Sequence, residues 1–176
     1  MRNERALRYA ELVAGVPWLD DVEQQAWRSL LRAHSFLMAR LDAELEASQG
    51  MALADYGVLV NLAEAEGGRM RMSELADRLL LSPSGLTRRL DGLVASGLVE
   101  RVRCGSDRRG AYAALTPAGR KRLQRAAPDH VEQVRRHFIS RLSRKQLTAL
   151  ADALEKVAVG GPPCPGAATT SGQRAT

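Results

Sequence analysis

LSPSGLTRRLDGLVASGLVERVRCGSDRRG, the stretch from Leu81 to Gly110, decides how the rest of the chain is read. Ser82 offers a side-chain oxygen to the amides of a helix start. Pro83 stands at the first helical position, where its missing N–H would have had no partner. A helix is therefore predicted from Pro83 to about Ser96. Leu86, Leu90, Leu93 and Val94 make one apolar stripe at helical spacing, whereas Ser84, Thr87, Arg88 and Asp91 point elsewhere. Gly97 stops the helix. Leu98 to Arg103 then alternates apolar and polar residues up to the turn cluster Cys104, Gly105, Ser106 and Asp107, and Ala111 to Leu115 is the returning strand. Arg108, Arg109 and Gly110 lie between the two strands.

Upstream, Ser73 as N-cap and Leu75, Ala76, Leu79 and Leu80 at helical spacing predict a first short helix that ends at Leu81. Downstream, Thr116 can cap and Pro117 can open a further helix. The order helix, turn, helix, hairpin, helix is that of a winged helix-turn-helix, which predicts a mainly α fold with a small β-hairpin wing. The polar face of the second helix is short, hydroxylated and cationic, as a major groove requires. Arginines on a hairpin tip suit the negative potential of a minor groove. Ser82, Ser84, Thr87, Arg88, Arg89, Arg108 and Arg109 are therefore the candidate DNA contacts, with Asp107 and Gly110 shaping the wing.

Three pieces of this region together resemble the multiple-antibiotic-resistance regulator (MarR) family of bacterial transcription factors. They are Leu-Ser-Pro-Ser-Gly-Leu-Thr-Arg-Arg-Leu-Asp from Leu81 to Asp91, Gly-Leu-Val-Glu-Arg from Gly97 to Arg101, and Asp-Arg-Arg-Gly from Asp107 to Gly110 followed by Leu-Thr-Pro-Ala-Gly-Arg from Leu115 to Arg120. The resemblance covers roughly residues 23–157. It implies a homodimer whose first and last two helices interlock, a double-stranded, pseudo-palindromic DNA operator as partner, and repression relieved by a small aromatic or phenolic acid. One wing arginine would reach the minor groove while Asp107 and its arginine partner shape the wing.

The charge pattern agrees. The net charge is +6, and from Arg69 to Arg125 there are 13 Arg or Lys against 5 Asp or Glu, so the positive charge is concentrated where the DNA module is read. The flanking segments carry a different signal. Ala26, Trp27, Leu30, Leu31, Leu37, Met38, Leu41 and Leu45 recur at intervals of three and four, predicting a long amphipathic helix from Val22 to about Leu45. Leu53 to Ala65 is a second, with Tyr56, Val58, Leu59 and Leu62 on its apolar side. A third runs from Pro117 through Phe138 and should bend at Pro128, and a last opens on the capping box of Ser143 and Gln146. The domain expectation is an N-terminal extension over 1–21, one winged-helix domain over 22–158 and a disordered tail over 159–176. Within the domain the DNA-binding core spans about 53–115, and the dimerisation helices span about 22–46 and 117–158.

An aromatic-acid effector asks for a cation beside aromatic walls, for which Trp27, Arg28, Arg32, His34 and Tyr56 are the candidates. A thiol switch is the alternative, through Cys104 with Arg101, Arg103, Arg108 and Arg109 near it in sequence. A third reading is a winged-helix module that binds protein rather than DNA. His34, His130 and His137 lack metal-ligand spacing, so neither metal nor cofactor is expected. No phosphate-cradling glycine loop or nucleophile elbow occurs, which argues against an enzyme. With no long apolar run and a charged start at Arg2, Glu4, Arg5 and Arg8, a cytoplasmic protein is expected and no membrane partner.

Overall fold

A computed structural model describes residues 18–103 and 111–158, and the expectations for Cys104, Asp107, Arg108, Arg109, Gly110, the N-terminal extension before residue 18 and the tail lie outside them. The chain runs α1 (Asp21–Gln49), α2 (Leu53–Glu64), a 3-10 turn, β1 (Arg69–Arg71), α3 (Met72–Arg78), α4 (Pro83–Ala95), β2 (Val99–Arg103), β3 (Ala111–Leu115), α5 (Pro117–His137), a second 3-10 turn and α6 (Arg144–Ala158). It divides into two compact units, one ending at Phe36 and one beginning at Leu37, so that α1 starts in the first and ends in the second.

In the first unit, α1 opens on a reciprocal box. The Glu23 amide donates to Asp20 Oδ1 at 2.9 Å and the Asp20 amide to Glu23 Oε2 at 2.8 Å, which satisfies two donors that a helix start leaves open. Trp27, Leu31 and Phe36 are exposed along it.

In the second unit the apolar stripes converge. Leu45 of α1, Val58, Leu59 and Leu62 of α2, Leu75 of α3, Leu86 and Leu90 of α4 and Val99 of β2 are all at most 2% exposed. Burying a leucine side chain contributes about 1.5–3 kcal/mol, so this cluster is what fixes α4 on its support. The sheet has the order β1-β3-β2, antiparallel throughout, with Met70 opposite Ala113 and Val102 opposite Tyr112. β1 is an addition to the predicted hairpin. It also explains why Ser73 is not the cap of α3. The chain leaves β1 directly into the helix, Arg71 takes the N-cap position in extended conformation, and Ser73 lies inside.

The predicted end of that helix at Leu81 is also corrected. α3 stops at Arg78, and Leu80 takes a left-handed φ of 52° with its side chain 84% exposed. Gly97, with φ 69°, supplies the expected stop after α4. α5 continues through Pro128 to His137, and Thr116 caps it by accepting from the Gly119 amide at 3.0 Å. The Ser143–Gln146 box opens α6, with the Ser143 amide 2.9 Å from Gln146 Oε1.

Polar clamps tie α1 to the rest of this unit. Arg122 donates to the carbonyls of Gln49 and Gly50, neutralising the negative end of α1, and Gln49 donates to Asp129 at 2.6 Å. Glu44 accepts from His137 Nε2 at 2.9 Å and pairs with Arg40 at 2.7 Å. The His137 hydrogen bond holds the Glu44 carboxyl below its usual range, with the charges of His137 and Arg40 adding to it.

Candidate nucleic-acid interface

α4 has one face fixed and one face open. Leu86, Leu90 and Leu93 are buried, while Ser84, Thr87 and Arg88 are exposed on other sides of the helix. Ser82 Oγ accepts from the Gly85 amide at 3.1 Å and lies 3.2 Å from Ser84 Oγ. Two hydroxyls therefore sit at the positive end of the helix, where a phosphate is favoured by the open amides and by the dipole. Thr87 donates its hydroxyl to the Pro83 carbonyl at 2.9 Å. Arg88 is exposed and makes no hydrogen bond or ion pair among the described residues, so its guanidinium is open to a phosphate or a guanine edge.

Arg89 has a different environment. It donates to Asp55 Oδ1 at 2.8 Å with both side chains about one-third exposed, which ties α4 to α2. Arg101 of β2 does the same from the wing side, donating to Asp91 at 2.8 Å and to the Thr87 carbonyl at 3.3 Å. Neither tie can be read from the sequence, because each joins residues well apart in the chain. The register of β2 and β3 ends at Arg103 opposite Ala111, and the predicted wing tip at 104–110 lies outside the described residues.

The effector candidates separate. Trp27, Arg28, Arg32 and His34 are exposed on the first half of α1, where Arg28 donates to Gln24 at 2.8 Å. Tyr56 is a core residue, 8% exposed, with its ring 4.5 Å from that of His130. Burial raises the Tyr56 phenol above its usual value, with the charge of Glu64 adding to it, and burial lowers the His130 imidazole. His130 Nδ1 is buried with no hydrogen-bond partner among the described residues. A phenol shut in this way offers little to a ligand from solvent. What sequence reading missed is an open groove of about 640 Å3 lined by Met38, Leu53, Gly57, Leu79, Leu81 and Arg89. Its signal is absent from periodicity, since the lining comes from the second half of α1, from α2, from the α3–α4 turn and from α4.

The model of the MarR family matches residues 49–110. The chain is 31% identical over 88 residues to the HTH-type transcriptional repressor YetL of Bacillus subtilis, a match that covers 50% of this chain and about half, 53%, of that protein. Among solved structures it is similar to AbsC, a MarR family transcriptional regulator from Streptomyces coelicolor, with 43% identity and a TM-score of 0.77 over 82% of this chain and 97% of AbsC. It is also similar to Sco3205 of the same organism, a MarR family transcriptional regulator solved in complex with DNA, with 40% identity and a TM-score of 0.77 over 83% of this chain and 95% of that one.

Proposed function

Because the chain belongs to the MarR family of transcriptional regulators, we propose that it works as a homodimeric repressor, released from a pseudo-palindromic operator by a small aromatic acid. The observation that carries the DNA-reading part is the open face of α4, with Arg88 exposed and without a partner among the described residues, beside Ser84 and Thr87, on a helix whose other face is locked into the core. Arg108 and Arg109 complete the contact from the wing, and Asp107 and Gly110 shape the turn. Arg89, held by Asp55, serves to position α4. A winged helix kept only for protein contacts has no need of an unpaired arginine on this face, and the DNA-bound relative favours the first reading.

The dimer is supported by apolar surface without cover. α6 is amphipathic over 15 residues and buries none of them, with Leu154 and Val157 exposed. The first half of α1 leaves Trp27, Leu31 and Phe36 exposed. A second copy supplies the missing partner. Two recognition helices related by a two-fold axis then meet half-sites about 34–36 Å apart.

The groove beside α4 suits the effector. Its lining is mostly apolar, with Asp42, which accepts from the Leu53 amide, and Arg89 as its charged members, and Arg89 offers a guanidinium to a carboxylate. An aromatic acid bound there competes with Asp55 for Arg89 and loosens the tie that holds α4 to α2. It releases DNA to the extent that it binds the loosened arrangement more tightly. Among the described residues no helix is long and apolar enough to cross a membrane.

Sequencing of genomic fragments retained by the pure full-length protein tests the core of this reading. Enrichment of an inverted repeat, with binding that weakens steeply as salt rises, is expected. Retention of DNA without sequence preference, or a stable monomer by sedimentation at micromolar concentration, contradicts it.

A further inference from the structure

We propose that Thr87 reads a thymine through its methyl group, so that each half-site of the operator carries a thymine at one fixed position opposite this residue. The inference rests on α4 being the DNA-reading helix. Thr87 is exposed, and its Oγ1 donates to the Pro83 carbonyl one turn back at 2.9 Å. A hydroxyl has a single hydrogen, and here it is used inside the helix. Oγ1 therefore has no donor left for guanine O6 and N7, adenine N7 or thymine O4, the acceptors that mark a major-groove edge.

With one arm of a β-branched side chain held on the carbonyl, the χ1 rotamer is fixed and the methyl keeps one position. A fixed apolar group among polar neighbours has one apolar counterpart in the major groove, the C5-methyl of thymine. The neighbouring readers have other chemistry. Ser82 and Ser84 share a contact at the start of the helix, and Arg88 presents an exposed guanidinium. The helix thus offers cationic readout at one residue and methyl readout at the one before it.

The test uses the full chain. An operator is selected from a random duplex library, and each thymine in it is then replaced singly by deoxyuridine, which removes only the methyl. At one position per half-site the wild-type protein should lose about fourfold in affinity, the amount expected for one methyl-sized contact. Thr87→Val, which keeps the methyl in place, should retain that sensitivity. Thr87→Ser, which keeps the back-bonded hydroxyl and loses the methyl, should bind the thymine and deoxyuridine operators alike. Should the valine variant fold poorly, the comparison of wild type with Thr87→Ser on the two operators decides by itself. Indifference of the wild type to deoxyuridine at every position overturns the methyl reading while leaving DNA recognition by α4 standing. Loss of binding by Thr87→Val with binding retained by Thr87→Ser overturns it in favour of the hydroxyl. If no motif is enriched by the wild type, the DNA-reading function itself fails, and the role of Thr87 with it.

Discussion

α4 and α6 are helices of similar length, 13 and 15 residues, with the same kind of leucine stripe, and they end in opposite states. In α4, Leu86, Leu90 and Leu93 are at most 4% exposed. In α6 no residue is buried, and Val157 is 76% exposed. Both patterns say only that a helix has an apolar side. What differs is the supply of partners along the chain. α4 follows α3 after a four-residue connection and precedes β2 after three, so the elements that cover it are its neighbours in sequence. α6 is the last described helix, and no later element among the described residues is there for it to meet. The lesson is that a stripe sets which face is buried, while topology sets whether this chain can bury it. Where it cannot, a second copy is the proposed cover.

Ending the chain after Leu142 breaks the comparison most severely. It removes Leu147, Leu150 and Leu154 and leaves α4 with its whole support. Loss of the dimer turns two linked half-site contacts into one, so operator affinity should fall by roughly 10²–10⁴-fold, as linked sites generally imply. The core should still melt cooperatively. Sedimentation and operator titration at matched concentrations check this, and a truncated protein that stays dimeric at full affinity removes α6 from the interface.

A single leucine from each stripe sharpens the contrast. Leu90→Ala, at a site with 0% exposure, should cost about 2–5 kcal/mol at any protein concentration, because the cavity lies within one chain. Leu154→Ala should lower the melting temperature only at concentrations where the dimer forms. Melts over a hundredfold range of concentration distinguish the two. Concentration dependence for Leu90→Ala, or none for Leu154→Ala, would reverse the assignment.

What the sequence made legible follows the same division. Ser82-Pro83, Thr116-Pro117 and the Ser143–Gln146 box are local chemistry, contained in two to four residues, and each starts a helix where it was read. β1 was not legible, since three residues become a strand only by pairing with β3 more than 40 positions later. The tie of Arg89 to Asp55 is nonlocal in the same way, so a residue expected at the DNA from its place beside Arg88 faces α2 as well. Tyr56 was correctly placed on the apolar side of α2, but a stripe does not tell a core wall from a pocket wall.

On the open face of α4 the effects are smaller and differ in kind. Arg88→Ala should cost about 1–3 kcal/mol if the guanidinium reads a base edge, and relax preference at that base. Arg108→Ala combined with Arg109→Ala should lower affinity and make the salt slope shallower without altering the preferred major-groove bases, since minor-groove readout depends chiefly on width. Site selection with each variant is the measurement. An altered core motif from the double variant would mean that the hairpin is not a minor-groove wing.

Acid should weaken the core in two steps. Burial depresses the folded His130 value below the ordinary 6.5, so the unfolded chain takes up a proton first and stability falls as pH drops through 6.5. Glu44, depressed by its bond to His137, has its ordinary value at 4.5, and its stabilising effect is present above that pH and is lost below it. Denaturant titrations from pH 8 down through the acid range below pH 4.5 should show both. His130→Gln should abolish the upper step and leave the lower, and an unchanged upper step would clear His130 of the effect.

The smallest effect is expected at the turn between α3 and α4, where Leu80 stands in left-handed conformation with its side chain in solvent. A residue with a Cβ loses about 1–2 kcal/mol in that region, whereas glycine adopts it freely at an entropic cost of roughly 0.5–1 kcal/mol. Leu80→Gly should therefore stabilise the fold by about 0.5 kcal/mol, since an exposed side chain gives up no packing. Its neighbours Leu79 and Leu81 line the groove and should stay in place. The variant also probes why an exposed leucine is kept at a position that strains it. Unchanged operator affinity and dimer strength would leave Leu80 as strain without a contact, the reverse of α6, for whose exposed Leu154 and Val157 a second copy is the proposed cover. A drop in either, in a protein that has become more stable, would show that this leucine too is covered in the working assembly.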